Sequence, residues 1–188
     1  MDGKLRLVER ILAGETEAFE ELVREHQRLV GHIVFRMISN PGDREDICQE
    51  VFMKVYRNLS RFRGDSKLST WVATIAYNRC YDYLNAKNSP LADDTFDGVL
   101  ADFPDKNSTP DQKTERDDIS DRLKDEINNL PPKARTIITL FHLDELSYDE
   151  IGKIMNLPEG TVKSHLFRSR RLLKERLLSK YDREELWQ

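Results

Sequence analysis

Apolar residues recur every third or fourth position through Phe19, Leu22, Val23, Leu29, Val30, Ile33, Val34 and Met37. The same period runs through Ile47, Val51, Phe52, Val55, Tyr56 and Leu59, and again through Trp71, Val72, Ile75, Ala76, Cys80, Tyr83 and Leu84. Such spacing places each set on one face of a helix, and nowhere does the chain show a convincing strand. The cluster Asn40-Pro41-Gly42-Asp43 predicts a helix start, with Asp43 as the acid that caps free backbone N–H groups. Residues 1–86 are therefore expected to fold as a bundle of three or four helices.

The periodicity stops over 87–118, where Pro90, Gly98, Pro104 and Pro110 stand among Asp, Asn, Ser and Thr. A stretch this long is too extended for a loop inside one compact domain, so a linker between two separately folded halves is expected. Helical patterns resume over 119–129 and 132–143. Ser147-Tyr148-Asp149-Glu150 then forms a capping box, in which the Ser147 hydroxyl and the Glu150 carboxylate each satisfy a backbone N–H of the other. Leu146 and Ile151 fit the accompanying hydrophobic staple. This helix is expected to stop at Asn156-Leu157-Pro158, with a new one from Thr161 to about Leu178. The short turn reads as a helix-turn-helix: Gly152 permits close approach, Asn156 tolerates the left-handed conformation, and Ile151, Met155, Leu157 and Val162 lock the pair. The fold class is thus all-α, with an N-terminal domain over 1–86, a linker over 87–118 and a C-terminal helix-turn-helix domain over 119–188.

Charge sharpens this picture through its distribution. The net charge is only −4, yet Lys163 to Lys180 holds seven basic residues against the single acid Glu175. The segment 87–118 holds nine acids against four bases. A basic helix beside an acidic stretch implies a focused DNA contact and a linker kept away from DNA. No apolar run reaches the length of a membrane span, and the opening residues are amphipathic rather than a signal-peptide core, so a cytoplasmic protein without membrane insertion is expected. Cys48 and Cys80 lack metal-ligand spacing and read as reduced, buried thiols. Asp43, Glu45, Asp46 and Glu50 have no His to complete a metal site, and Glu50 with Lys54 at i and i+4 reads as a solvated helix face. With no phosphate loop or nucleophile elbow, neither catalysis nor a cofactor is expected.

Two surfaces carry chemistry. On the second helix of a helix-turn-helix, residues near the N-terminus face base edges in the major groove. Lys163, Ser164, Phe167, Arg168 and Arg170 take that role, since cations donate to guanine, Ser to several bases, and Phe meets a thymine methyl. Arg171, Lys174 and Arg176 are read as phosphate contacts. In the first half, the loop from Phe62 to Ser69 combines an aromatic, cations, Gly and hydroxyls. It leads into a helix with Trp71, Tyr77, Asn78, Arg79 and Tyr81, a mixture suited to an unstacked base. Trp71 itself reads as core.

These residues resemble the extracytoplasmic-function class of sigma factors, small members of the sigma-70 family. Asp43-Arg44-Glu45-Asp46-Ile47-Cys48-Gln49-Glu50-Val51-Phe52 is similar to the region that grips the coiled coil of the polymerase beta-prime subunit, with Asp43, Asp46, Gln49, Glu50 and Phe52 as the matching contacts. FRGDSKLSTW and IAYN are similar to the stretch that melts the minus-ten element and captures a flipped base, which implies roles for Phe62, Arg63, Lys67, Ser69 and Asn78. LSYDEIGKIMNLPEGTVKSHLFRSRRLL resembles the domain that reads the minus-thirty-five element, which implies Lys163, Ser164, Phe167, Arg168, Arg170 and Arg171. Ala73 and Thr74 depart from the aromatic and basic residues common in the family. The resemblance implies core RNA polymerase and promoter DNA as partners, initiation as the function, and an anti-sigma protein as regulator. The competing reading, a dimeric helix-turn-helix regulator, accounts for residues 119–181 but leaves the Asp43 to Phe52 motif without purpose. A third, a hydrolase using Asp43, Asp46 and Glu50, requires a metal-dependent turnover that nothing else in the chain suggests.

Overall fold

The computed structural model describes residues 2–86 and 115–181, with side chains over 5–86 and 122–181. The described residues are helical and contain no strand. The order is α1 (Asp2–Leu12), α2 (Thr16–Met37), α3 (Pro41–Asn58), a short 3-10 turn (Leu59–Arg61), α4 (Leu68–Ala86), α5 (Glu115–Asn128), α6 (Pro132–His142), α7 (Tyr148–Met155) and α8 (Glu159–Lys180). Residues 87–114 of the expected linker lie outside the described residues. Its last residues, 115–118, already belong to α5, a first turn that apolar periodicity could not mark because it holds only acids and an arginine.

In the first half, α2, α3 and α4 close on one another around Leu22, Val30, Ile33, Ile47, Val51, Val55, Val72 and Ala76, all buried, while Leu7, Val8 and Ile11 bring α1 onto the bundle. The cap of α3 is Asn40, whose side chain accepts from the Gly42 N–H, with Pro41 in the first turn. Asp43 lies inside the helix, so it is not the cap: Pro41 has φ suited to a first helical position and moves the boundary back before the acid. Cys80 is buried as expected and burial pushes its thiol up to about 12. Cys48 is only partly buried, because it stands at the edge of the stripe set by Ile47 and Val51.

The second half is organised by α6. Every residue from Ala134 to Leu140 is buried, including Arg135, Thr136 and Thr139. A helix covered all round needs neighbours on every side, and α5, α7 and α8 supply only part of that cover. The capping box at the start of α7 is fully formed, with both the Ser147 hydroxyl and the Glu150 carboxylate engaged. Asn156 ends α7 in the left-handed region (φ 55°, ψ 48°), and the Leu157 N–H returns to the Gly152 carbonyl at 2.9 Å. An added Cβ on Gly152 would lie 2.7 Å from the Leu157 carbonyl oxygen, so the tight turn requires glycine there. α8 packs through Val162, Leu166 and Ser169. Its far end is held by Glu126 of α5, 1% exposed, which meets Arg176 and Lys180 at 3.1 Å each.

The two halves do not stand apart. α2 packs against α6 and α4 against α7, so the face of α6 left open by its own half is covered by the other. His32 Nδ1 lies 2.7 Å from Asp144 Oδ1, Lys67 Nζ lies 2.8 Å from Glu150 Oε1, and Arg36 donates to Asn128. Burial raises the Glu150 carboxyl, but hydrogen bonds from Lys67 and from the Ser147 backbone and hydroxyl outweigh it and hold the group down at about 2.

Three substitutions test this packing. Gly152→Ala should lower stability by about 1 to 3 kcal/mol in urea denaturation, since the contacting atom is backbone and must shift. Gly160→Ala, with nothing within 4 Å of its added Cβ, should be neutral or stabilising by up to about 1 kcal/mol. A depressed carboxyl contributes stability that is complete above its unfolded value of 4.5 and is lost as pH falls toward about 2. Glu150→Gln should therefore flatten the stability curve between those values, as read by chemical denaturation at a series of pH values.

Candidate nucleic-acid and polymerase interfaces

On α3 the buried stripe Ile47, Val51 and Val55 turns the opposite face outward. Asp46, Gln49 and Glu50 lie there, all exposed, in register with Met53, whose side chain is 52% exposed. An exposed methionine between carboxylates has no role in the bundle's own core. It is the member of this face that the sequence reading missed, because it falls outside the apolar stripe of α3 and carries no charge or hydrogen-bonding group to mark it as a contact. Glu50 is not paired with Lys54 as its i and i+4 spacing suggested. Arg79 of α4 donates to Glu50, while Lys54 lies 3.6 Å from Asp82. The cross-helix partners prevail because α4 runs alongside α3 and offers its cation at closer range. Asp43 accepts from the Tyr83 hydroxyl and, at 2.6 Å, from the Asn40 amide. Phe52 sits apart from this face, half-buried against the core.

The loop after the 3-10 turn brings Phe62 against Trp71, with ring centroids 5.5 Å apart and planes tilted by 57°. Trp71, expected in the core, is half-buried and shares this aromatic step with the loop. Arg63 and Lys67 are exposed, Ser69 is half-buried, and Asn78 stands exposed one helical stretch further along α4. Tyr77 and Tyr81 stack with centroids 6.4 Å apart beside Asn78.

α8 separates its functions by face. With Val162, Leu166 and Ser169 buried, Lys163, Ser164, Phe167 and Arg168 are all exposed, and Phe167 is 67% exposed. An aromatic ring at that exposure has no packing partner large enough to explain it. Lys163 is set over the Tyr148 ring at 5.3 Å and paired with Glu159 at 2.6 Å, and that pairing raises its pKa. Arg170 lies 5.1 Å over the Phe141 ring and donates from Nε to His142 Nε2 at 3.1 Å. Phe141 in turn stacks on Tyr148 with centroids 5.0 Å apart and planes 12° from parallel. A short aromatic ladder on α6 and α7 thus holds the two outer cations of α8 in fixed directions. Burial and the Arg170 charge both lower the His142 pKa, which keeps its ring nitrogen an acceptor for that arginine.

The seven cations of α8 do not form one uniform strip. Arg176, read from sequence as a phosphate contact, is committed with Lys180 to the buried Glu126, because a carboxylate 1% exposed requires charge partners at hand. Arg171 stays exposed and near Glu175 at 3.4 Å. Among the described residues no cluster of His, Cys, Asp or Glu has metal-site geometry, and no helix is long and apolar enough to cross a membrane.

Comparison with known proteins covers both halves of the chain. The sequence model for Sigma-70 region 2 matches residues 22–89, and that for Sigma-70 region 4 matches residues 120–173. The ECF RNA polymerase sigma-E factor of Escherichia coli is 38% identical over 170 residues, covering 87% of this chain and 88% of its own. That of Haemophilus influenzae is 35% identical over 177 residues, covering 91% and 93%. The RNA polymerase sigma-H factor of Pseudomonas aeruginosa is 33% identical over 178 residues, covering 92% of each. In fold the chain is similar to CnrH solved with the cytosolic domain of CnrY (TM-score 0.66, 19% identity, 93% of this chain and 97% of that one). It is also similar to the sigma factor RpoE solved with the anti-sigma factor NepR from Bartonella quintana (TM-score 0.63, 24% identity, 89% and 100%). The matches span both halves in order, which a lone helix-turn-helix regulator would not produce, and the chain belongs to the ECF class of RNA polymerase sigma factors.

Proposed function

We propose that this sigma factor engages core RNA polymerase through the outward face of α3, and promoter DNA through two further surfaces, one in each half. On α3, Asp46, Gln49 and Glu50 present acceptors and an amide around the exposed Met53 side chain. That pattern of an apolar centre ringed by polar groups suits a helical partner such as the beta-prime coiled coil. Asp43 and Phe52 support this face from behind, through Tyr83 and the core respectively.

The upstream element is read by α8. Its exposed row of Lys163, Ser164, Phe167 and Arg168 beside a buried stripe is the single observation that carries the assignment: the row offers donors for base edges and an apolar ring for a thymine methyl. Arg170 and Arg171 meet phosphates at the margin of the groove and position the helix without reading sequence. In the first half, the Phe62 and Trp71 step with Arg63, Lys67, Ser69 and Asn78 takes unstacked bases of the melted minus-ten region, where aromatic faces and a short amide are the recognition chemistry. Polymerase supplies the bond-making chemistry, while this chain selects where it starts. CnrH and RpoE are each solved with a partner protein, CnrY and the anti-sigma factor NepR, which supports an anti-sigma protein as the regulator here.

Arg168→Ala should weaken binding to the minus-thirty-five duplex by roughly 1 to 3 kcal/mol and relax the preference at one base pair, as read by a competition assay across single-base variants. An unchanged preference removes Arg168 from the reading row. The double variant Gln49→Ala, Glu50→Ala should lose core polymerase in a binding titration while the chain keeps its affinity for the upstream duplex. Joint loss of both would show that the two surfaces have been assigned wrongly.

A further inference from the structure

Two carboxylates of α3 are held by residues of a single neighbouring helix. Arg79 of α4 donates to Glu50, and Tyr83, one turn further along α4, donates from its hydroxyl to Asp43. The Arg79 guanidinium lies 5.9 Å over the Tyr83 ring, so each support also braces the other. Asp43 accepts as well from the Asn40 amide at 2.6 Å, and Asn40 caps α3 by accepting from the Gly42 N–H at 3.1 Å. A continuous path of side chains thus leaves the first turn of α3, runs through Asp43, Tyr83 and Arg79, and returns to α3 at Glu50.

Exposure separates support from contact along this path. The Arg79 side chain is 18% exposed, whereas that of Glu50 is 50% exposed. An arginine meeting a phosphate would reach outward into solvent. Arg79 instead turns onto Glu50 and leaves the outer side of that carboxylate open. The other α3 to α4 pair is of a different kind: Lys54 and Asp82 are 3.6 Å apart with side chains 46% and 63% exposed, an ordinary solvated contact.

We propose that Arg79 and Tyr83 are positioning residues for polymerase binding: Arg79 fixes the direction of the Glu50 carboxylate, and Tyr83 fixes the start of α3 through Asp43. The inference rests on the α3 surface proposed above and adds what sets its geometry. A surface glutamate explores several rotamers, and a partner that needs one of them loses affinity to the ordering. A guanidinium already bonded to one carboxylate oxygen removes much of that loss before the partner arrives. The same pairing also offsets part of the charge that Glu50 offers to a cationic partner. Positioning and competition therefore predict opposite signs when Arg79 is removed.

The test is a binding titration of the full chain against core RNA polymerase. Arg79→Met removes the cation, and Tyr83→Phe keeps the ring beneath Arg79 while removing only the hydroxyl. Each should weaken core affinity roughly two- to ten-fold, although a chain made more acidic by Arg79→Met would bind a cationic partner more tightly on charge alone. The loss from Arg79→Met should not add to that from Glu50→Ala in the double variant, since Arg79 acts through Glu50. Arg79→Lys, which keeps a charged donor, should recover part of the affinity. Asp82→Asn, in the solvated pair on the same helix, should change it by less than about two-fold. Urea denaturation and affinity for the minus-thirty-five duplex verify the fold, and Tyr83→Phe with Arg79→Lys carries the test if Arg79→Met loses it. Unchanged or tighter polymerase binding in Arg79→Met and Tyr83→Phe, fully additive losses, or an equal loss in Asp82→Asn overturns the positioning role. A Glu50→Ala chain that binds polymerase as the parent does refutes the α3 surface itself, so the two failures are distinguishable.

Discussion

Burial of α6 on all sides is the constraint from which the arrangement of this molecule follows. A helix with one apolar stripe can rest on its own domain and leave the rest in water. α6 buries Ala134, Ile137, Ile138 and Leu140 together with Arg135, Thr136 and Thr139, and its own half cannot cover that whole circumference. α2 supplies the missing cover. The same contact places Asp144, just beyond the end of α6, against His32, and Asn128, at the end of α5, against Arg36. Burying a guanidinium is costly even when its charge is kept. The Arg135 pKa is pulled down to about 10, first by desolvation and then by Arg36 and Arg44, yet the group stays protonated at neutral pH.

The second organising fact is that α8 serves the core and the surface at once. Its inner stripe of Val162, Leu166 and Ser169 fixes its rotation, and that rotation alone decides which cations point outward. Glu126 then removes Arg176 and Lys180 from the available set, while the Phe141 and Tyr148 ladder aims Arg170 and Lys163. Rigid supports of this kind limit the conformational entropy lost when a long basic side chain meets a ligand. The turn preceding α8 has the same character. Gly152, the capping box and the left-handed Asn156 leave the angle between α7 and α8 little freedom.

On the α3 face proposed for polymerase the supports come from a neighbouring helix rather than from local sequence. Arg79 and Tyr83, one turn apart on α4, reach Glu50 and Asp43 of α3. Arg79 also lies 5.9 Å over the Tyr83 ring. The acceptors of this face are therefore oriented by α4, the helix that also carries Asn78 and the stacked Tyr77 and Tyr81. A disturbance of α4 would be felt at the outward face of α3 and around Asn78 together.

What the sequence determined by itself was local. Apolar period three to four identified α2, α3 and α4 because each has a single buried stripe, and the capping box, Gly152 and Asn156 were legible because their constraints act within a few residues. The exposed row on α8 was legible for the same reason. Tertiary structure decided the rest. The partners of Glu50, Lys54 and Arg176 come from other helices, so spacing along one helix could not name them. Tyr56, on the apolar stripe read along α3, is 54% exposed, because hydropathy carries no sign of which apolar side chain is left outside. Asn40 took the cap from Asp43 because Pro41 fixes the first helical position. Closure of the halves was hidden most completely, since it depends on an all-round burial of α6 that only the assembled neighbours reveal.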